Sequence, residues 1–261
     1  MLNNFLKEKL QAGKIVIGTW AIIPSVVTAD IIASTGIDFI VIDSEHGPIQ
    51  FETAQSMVIA CESWEVSPVM RVGGLISNDI LRALDIGVHC IQVPNIMTLQ
   101  ELKDTVNFCK YPPSGNRGFS PFTRAGGYTH ENAQKLTTQA NESTMLAIHI
   151  EGREAIENLD DILSVKEVDI IFIGLYDLSK AFGIPGQVDD PRIISIVQSL
   201  IEKISKAGKY PGTIVTDDQK LEQFIDLGMK YITYSVDCEM LRRSYDRMSH
   251  NFRKQANQGL E

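Results

Sequence analysis

Eight short β-rich runs alternate along this 261-residue chain with segments whose apolar residues recur every three or four positions. The runs are Val16–Thr19, Phe39–Asp43, Ser67–Arg71, Cys90–Val93, Met145–Ile150, Asp169–Ile173, Tyr210–Ile214 and Tyr231–Tyr234. In the second, Phe39 to Ile42 is apolar without interruption, as a strand buried on both faces requires, and it stops abruptly at Asp43-Ser44-Glu45-His46-Gly47-Pro48. Between the runs, Phe51, Ala54, Val58 and Cys61 form one helical stripe, and Leu99, Leu102, Val106 and Cys109 form another. Thr98 and Glu101 stand at capping-box spacing ahead of that second stripe, and Asp190-Pro191 supplies an N-cap followed by proline at the first helical position. Gly36, Gly87, Gly208 and Gly228 each close a helical segment shortly before a strand, the place of a left-handed C-terminal cap. Eight βα units in this length predict one (β/α)8 (TIM) barrel domain over 1–261 rather than a doubly wound sheet. The one long interruption, Tyr111 to about Asn141, reads as an irregular and functional loop.

Bulk composition narrows the function. A hydrophobic content of 44% is enough to build a sizeable core. Lys+Arg 24 against Asp+Glu 33 gives a formal charge of -9 without a basic cluster, which argues against nucleic acid as a partner. The stretch Met1 to Leu10 carries charges where a signal peptide needs an apolar segment, and no run is long enough to span a bilayer. A cytoplasmic protein without membrane contact is expected. Cys61, Cys90, Cys109 and Cys238 are widely spaced and form no C-x-x-C pair, so buried thiols in a reducing compartment are expected rather than zinc or disulfides.

In a parallel barrel, chemistry is done where the strands end. There the chain places Asp43, Glu45 and His46, then Arg71, then Pro94-Asn95, His149-Ile150-Glu151, Gly174-Leu175-Tyr176-Asp177, and Ser235 with Asp237. Any one of these has an ordinary explanation as a helix cap, but an arginine ending an apolar strand is costly unless an anion pairs with it. Glu151 and Asp177, from adjacent strands, suit Mg²⁺ or Mn²⁺ with open positions for water and substrate. Alternatively, Asp177 caps the following turn and Glu151 pairs with Arg153. His46 reads as a general base with Asp43 fixing its tautomer, or as a buried structural histidine. Arg71 beside a metal is equipment for stabilising an enolate next to a 2-oxo acid. No lysine ends a strand, which disfavours a Schiff base.

Together these pieces resemble the HpcH/HpaI family of class II 2-oxo acid aldolases. The likeness rests on Ile42 to Pro48, Arg71, Leu84-Asp85-Ile86-Gly87, Tyr111-Pro112-Pro113-Ser114-Gly115-Asn116-Arg117-Gly118, Ile150-Glu151 and Gly174 to Ser179, in that order and spacing. The resemblance implies a (β/α)8 barrel whose last helix swaps with a neighbour, in a hexamer built from dimers. It implies Glu151 and Asp177 as ligands of a divalent metal (Mg²⁺, Mn²⁺ or Co²⁺), Arg71 at the keto-acid oxygen, and His46 as acid/base with Asp43 as its partner. Gly174, Leu175, Tyr176 and Asp177 match the loop that holds the substrate carboxylate, and Asp85 a residue reaching the neighbouring subunit's site. The implied reaction is reversible aldol cleavage and condensation of a pyruvate-like 2-oxo acid with an aldehyde.

Three departures stand out. His149 replaces the family's usual glutamine two residues before the metal glutamate and is assigned to the substrate shell. The stretch Gly118 to Tyr128 differs in spacing, so Arg124, with Ser120, becomes a candidate for selecting another anionic substrate. Trp64 stands where smaller residues are common, either packed in the core or lining the pocket. Asn95, beyond the fourth strand, is a further substrate-side candidate. These departures are similar to family members with altered chemistry, among them the citrate synthase of staphylococcal siderophore pathways, which joins an acetyl-CoA-derived enolate to the keto acid oxaloacetate. A binding protein without turnover is the remaining alternative.

Overall fold

The computed structural model describes residues 3–258, so Met1 and Leu2 of the charged amino-terminal stretch and residues 259–261 lie outside it. Eight parallel strands close into one barrel in chain order: β1 (Val16–Ala21), β2 (Phe39–Asp43), β3 (Ser67–Arg71), β4 (Cys90–Val93), β5 (Met145–Ile150), β6 (Ile170–Ile173), β7 (Tyr210–Val215) and β8 (Tyr231–Val236). The predicted strands are all present. β1 and β8 run two residues further than the sequence pattern implied, which carries both up to the barrel mouth.

Helices surround the barrel: α1 (Phe5–Gln11), α2 (Val26–Ala33), α3 (Phe51–Ser63), α4 (Ser77–Asp85), α5 (Leu99–Cys109), α6 (Ala133–Ser143), α7 (Arg153–Glu157), α8 (Leu159–Leu163), α9 (Leu175–Ala181), α10 (Pro191–Lys206), α11 (Asp218–Asp226) and α12 (Asp237–Gln258). Their signals are read as expected. Thr98 and Glu101 form a reciprocal capping box on α5, and the Asp190 carboxylate accepts from the Arg192 amide with Pro191 in the first turn of α10. The four punctuating glycines all take left-handed φ values, between 74° and 95°. The long segment after α5 is not wholly irregular, since it contains α6.

Strand parity decides what fills the barrel, because alternate residues point inward. Inward positions hold Val16, Phe39, Val41, Val69, Cys90, Met145, Ala147, Ile170, Phe172 and Tyr231, while Leu6 and Leu10 of α1 pack onto the same cluster. Large rings sit opposite glycines. Phe39 is in register with Gly18 and Tyr231 with Gly212, and a Cβ on either glycine would come within 2.3 or 2.7 Å of the facing ring. The two rings stack at 4.1 Å. The outward residues make the second, larger core against the helices. Thus the interior is solid from α1 to about the Trp20 level, and open space begins only where the strands end.

α12 departs from the rest. Met240, Leu241, Tyr245, Met248 and Phe252 are exposed along it. Beside its first turns lies an apolar groove of about 820 Å³, walled by Ile31 and Ile32 of α2 and by Thr35 after it, together with Gly18 and Tyr234.

Candidate active site

At the carboxyl ends of the strands lies a cavity of about 310 Å³ lined by Asp43, His46, Arg71, His149, Glu151 and the Gly174–Asp177 turn on its polar side. The rest of its wall is Trp20, Ile22, Phe172, Ile214 and Val236. Arg71 is its most constrained member. Its Nε and Nη2 donate to the two oxygens of Asp43 at 2.9 and 2.6 Å, and its guanidinium carbon lies 4.3 Å from the Trp20 ring centroid. Asp43 and Arg71 are paired in register on β2 and β3, so the fork is set by the sheet itself.

Asp43 also accepts from the backbone amides of Glu45 and His46, at 3.0 and 3.4 Å. Its oxygens are therefore taken up by Arg71 and the turn, and the expected Asp43 contact with the His46 ring is replaced by these bonds. The acid facing that ring is Glu45: its Oε2 lies 3.9 Å from His46 Nε2 and 2.9 Å from Arg71 Nη1. This oxygen is buried and has no hydrogen-bond partner among the described residues, because the Arg71 approach is off-angle. It sits in the field of Arg71 without satisfying a lone pair. The His46 side chain is 71% exposed, so it is presented at the mouth and is not a core histidine.

His149 is fully within the barrel wall. Its Nδ1 lies 2.6 Å from Glu151 Oε1 and its Nε2 lies 2.5 Å from Gln92 Nε2. The Gln92 amide oxygen takes the Tyr231 hydroxyl at 3.2 Å. With the amide oriented that way, Gln92 donates to His149 Nε2, so the ring proton sits on Nδ1 and is donated to Glu151. Burial pushes the Tyr231 hydroxyl well above its ordinary range, which keeps it a donor. His149 stacks on Phe172 at 4.6 Å, so the plane of the ring is fixed as well. His149 thus lines the cavity and is bonded to a carboxylate that also faces it.

Glu151 and Asp177 line the same cavity, as expected of a carboxylate pair. Gly174 makes room for Glu151: a Cβ there would stand 2.8 Å from Glu151 Cγ. Asp177, in the first turn of α9, bonds Lys180 at 2.8 Å. The Lys180 ammonium is held above its usual range by that bond and by the charges of Asp177 and Glu151, so it senses both acids. Arg153, the alternative partner of Glu151, instead donates to the Ala181 carbonyl.

Four sequence candidates fall elsewhere. Arg124 pairs with Glu62 of α3, which also meets His89 at the entry to β4, so it lies at the opposite, amino-terminal end of the barrel. The loop that carries it follows α5 and precedes β5, and such a connection runs along that end. Ser120 belongs to the same loop, its carbonyl accepting from Thr123. Trp64 is 51% exposed on the outer surface, its indole N–H bonded to Asp30 at 2.7 Å. Neither the core nor the pocket receives it. Asn95 is exposed in a left-handed turn after β4. Cys61, Cys90 and Cys109 are buried as expected, but Cys238 is exposed.

Trp20, Gln92, Phe172, Ile22, Ile214 and Val236 went unread in the sequence. For Trp20, Gln92 and Phe172 a signal existed: once Arg71 and His149 are taken as inward, two-residue parity and strand register assign these three to the same interior. The apolar ones carried no chemical mark.

Comparison with known proteins places this geometry. Residues 17–244 match the family described as HpcH/HpaI aldolase/citrate lyase. A pyruvate aldolase of Rhizobium etli is 35% identical over 252 residues, 95% of this chain and 97% of that protein. A 4-hydroxy-2-oxo-heptane-1,7-dioate aldolase of Shigella sonnei is 31% identical over 256 residues, covering 98% and 97%. Among solved structures, the citrate synthase SbnG superposes with a TM-score of 0.86 at 29% identity, covering 99% of this chain and 100% of that one. The closed barrel, the pinned arginine at its mouth and a match spanning nearly all the strands agree: this chain belongs to the HpcH/HpaI aldolase/citrate lyase family.

Proposed function

We propose that this protein is a class II aldolase, a carbon–carbon lyase that joins the enolate of a pyruvate-type 2-oxo acid reversibly to an aldehyde. The observation that carries this reading is Arg71, fixed by Asp43, in one cavity with Glu151 and Asp177. The relatives named for aldolase activity support it.

The donor set fits a hard divalent cation such as Mg²⁺, Mn²⁺ or Co²⁺. His149 engages one oxygen of Glu151 and Lys180 one oxygen of Asp177, which leaves each carboxylate a second oxygen for a ligand role. No cluster of three such side chains occurs among the described residues, so the other positions fall to water and substrate. A cation held there would supply positive charge that stabilises the enolate.

The chain's own groups do the rest. Two of the five guanidinium N–H groups of Arg71 bond Asp43 and Nη1 stands beside Glu45; an N–H group left over donates to the keto oxygen. The first-turn amides of α9, which lack intrahelical acceptors, receive the acid's carboxylate. His46 takes the C3 proton; the C3–carbon bond forms, and the aldehyde oxygen gains a proton to become the new hydroxyl. Cleavage runs the same steps in reverse. Exchange of pyruvate methyl protons for deuterium, followed by NMR with Mg²⁺ present, tests this. Arg71→Ala is expected to slow exchange at least ~100-fold. Undiminished exchange in that variant, or in excess chelator, would sink the proposal.

The citrate synthase reading rested on a further arginine and on a changed metal shell at His149. Arg124 is bound to Glu62 at the other end of the barrel, which removes the first of these. We further propose that α12 exchanges between neighbouring chains in a hexamer built from dimers, supported by its exposed apolar stripe and the groove beside it. The buried free thiols suit the reducing cytosol.

A further inference from the structure

A chain of polar side chains runs through the barrel interior and ends at the cavity. Tyr231 of β8 donates to Gln92 of β4 at 3.2 Å, Gln92 meets His149 of β5 at 2.5 Å, and His149 meets Glu151 at 2.6 Å. Tyr231 and Gln92 have no exposed surface, and neither lines the cavity. Gln92 is in register with Arg71 on β3 and stands two residues beyond Cys90, which belongs to the apolar interior cluster. Hydrocarbon would fill that position as well, and an amide is tolerated there only with its groups bonded.

The chain has a direction. His149 Nδ1 lies 2.6 Å from a carboxylate oxygen, so a proton must stand between them; with the ring proton on Nε2 alone, two lone pairs would face each other. Where that proton sits is decided at Nε2, to which Gln92 can present either an amide N–H or its amide oxygen. The oxygen would draw the proton to Nε2. Tyr231 prevents this by donating to the Gln92 oxygen, which turns the amide nitrogen toward the imidazole. Phe172 stacks on the imidazole at 4.6 Å and Trp20 meets it edge-on at 6.2 Å, so the ring plane is held. Each link therefore donates to the next, and the last bond engages one oxygen of Glu151.

We propose that Gln92 and Tyr231 are positioning residues for Glu151, acting through the proton they place on His149 to hold that carboxylate in the orientation that binds the divalent cation. This rests on the aldolase reading and adds to it two residues that touch neither substrate nor cation. Packing alone would leave the ring proton and the cation affinity indifferent to either one.

The test uses the full-length protein with ¹⁵N-labelled histidine, and calorimetric titration with Mn²⁺. Among the five histidines, His149 is assigned by the signals lost in His149→Gln. Wild type is expected to show a single neutral tautomer protonated on Nδ1. Gln92→Leu is expected to lose that single tautomer and to bind Mn²⁺ roughly 10-fold more weakly or worse, the scale for groups that orient metal ligands. Tyr231→Phe removes one hydroxyl and keeps the ring stacked on Phe39. It is expected to weaken Mn²⁺ binding about 2- to 10-fold, the net effect of one hydrogen bond, and to add nothing further in Gln92→Leu. Should Gln92→Leu fail to fold, Tyr231→Phe carries the test alone. Unchanged Mn²⁺ affinity in the folded variants, an additive loss in the double variant, or a wild-type His149 protonated on Nε2 overturns this inference. Pyruvate methyl exchange of wild type is measured beside them. With normal exchange the aldolase reading stands whatever the variants show; with neither exchange nor Mn²⁺ binding, both fall.

Discussion

At the scale of single residues, position in the barrel matters more than residue type. Arg71, Arg117 and Arg124 are chemically identical, yet only Arg71 ends a strand on an inward-facing position, and only it reaches the cavity. Gly174 shows the same dependence. A methyl group there meets Glu151 Cγ at 2.8 Å, in a turn whose φ of -80° any residue adopts. Gly174→Ala is therefore expected to keep the fold, shifting the thermal midpoint by a few degrees at most, while displacing Glu151 and cutting pyruvate exchange ~10-fold or more. A loss of folded protein instead would mean that the turn, not the carboxylate, needs the glycine. His149 gives a second expectation. His149→Leu removes the donor to Glu151 and the acceptor for Gln92 together. Leaving two buried polar groups unpaired costs about 1–3 kcal/mol each, and loss of an orienting bond to a ligand costs roughly 10–100-fold in metal affinity or activity. His149→Gln, which retains a donor, is expected to recover most of the activity. Equal defects in both variants, by calorimetric metal titration and by exchange rate, would count against a positioning role.

At the scale of elements, the sequence was most legible where one local rule acted alone. Strands β2 to β5 are bounded as their β-rich runs imply, because strands buried on both faces are mostly apolar and each run breaks where the strand emerges. α5 starts at Thr98 for the reason its spacing announces. Thr98→Ala is expected to destabilise the protein by about 1 kcal/mol, read as a shift in the urea midpoint with unchanged slope. The candidate site divided along the same line. Most candidates at strand ends line the cavity, since parity and the polar break locate them, Asn95 being an exception. Those on the long loop were misplaced, because a motif fixes a loop's composition but not which end of the barrel it lies along. Ser120 and Arg124 follow a helix rather than a strand, and that order already assigns them to the amino-terminal end. Trp64 closes α3 and bonds outward to Asp30, a tertiary choice that no spacing encodes. The apolar half of the cavity was invisible for a different reason: Ile214 and Val236 look like core until the strand is known to end there.

At the scale of the whole molecule, α12 is the element the single chain leaves unfinished. The seven connections between successive strands cover the barrel with helices packed on the outer core, whereas α12, after β8, keeps Met240, Leu241, Tyr245, Met248 and Phe252 exposed. Their spacing puts them on one side of the helix, a stripe that water disfavours and that a monomer of this size does not ordinarily display. The groove beside it is walled by α2, the helix next to the gap where a closing helix would pack, and its lining is apolar where it meets Ile31 and Ile32. Stripe and groove on one chain, complementary in character, are what an exchanged helix requires: each chain offers the one and receives the other. Light scattering is thus expected to give a multiple of the chain mass that does not fall on dilution through the micromolar range. Met248→Glu with Phe252→Glu places charges on the stripe without touching the barrel, and should yield a smaller species with unchanged barrel circular dichroism. A wild-type protein that stays monomeric at all concentrations would show that the stripe is covered in another way, and that the cavity is complete in one chain.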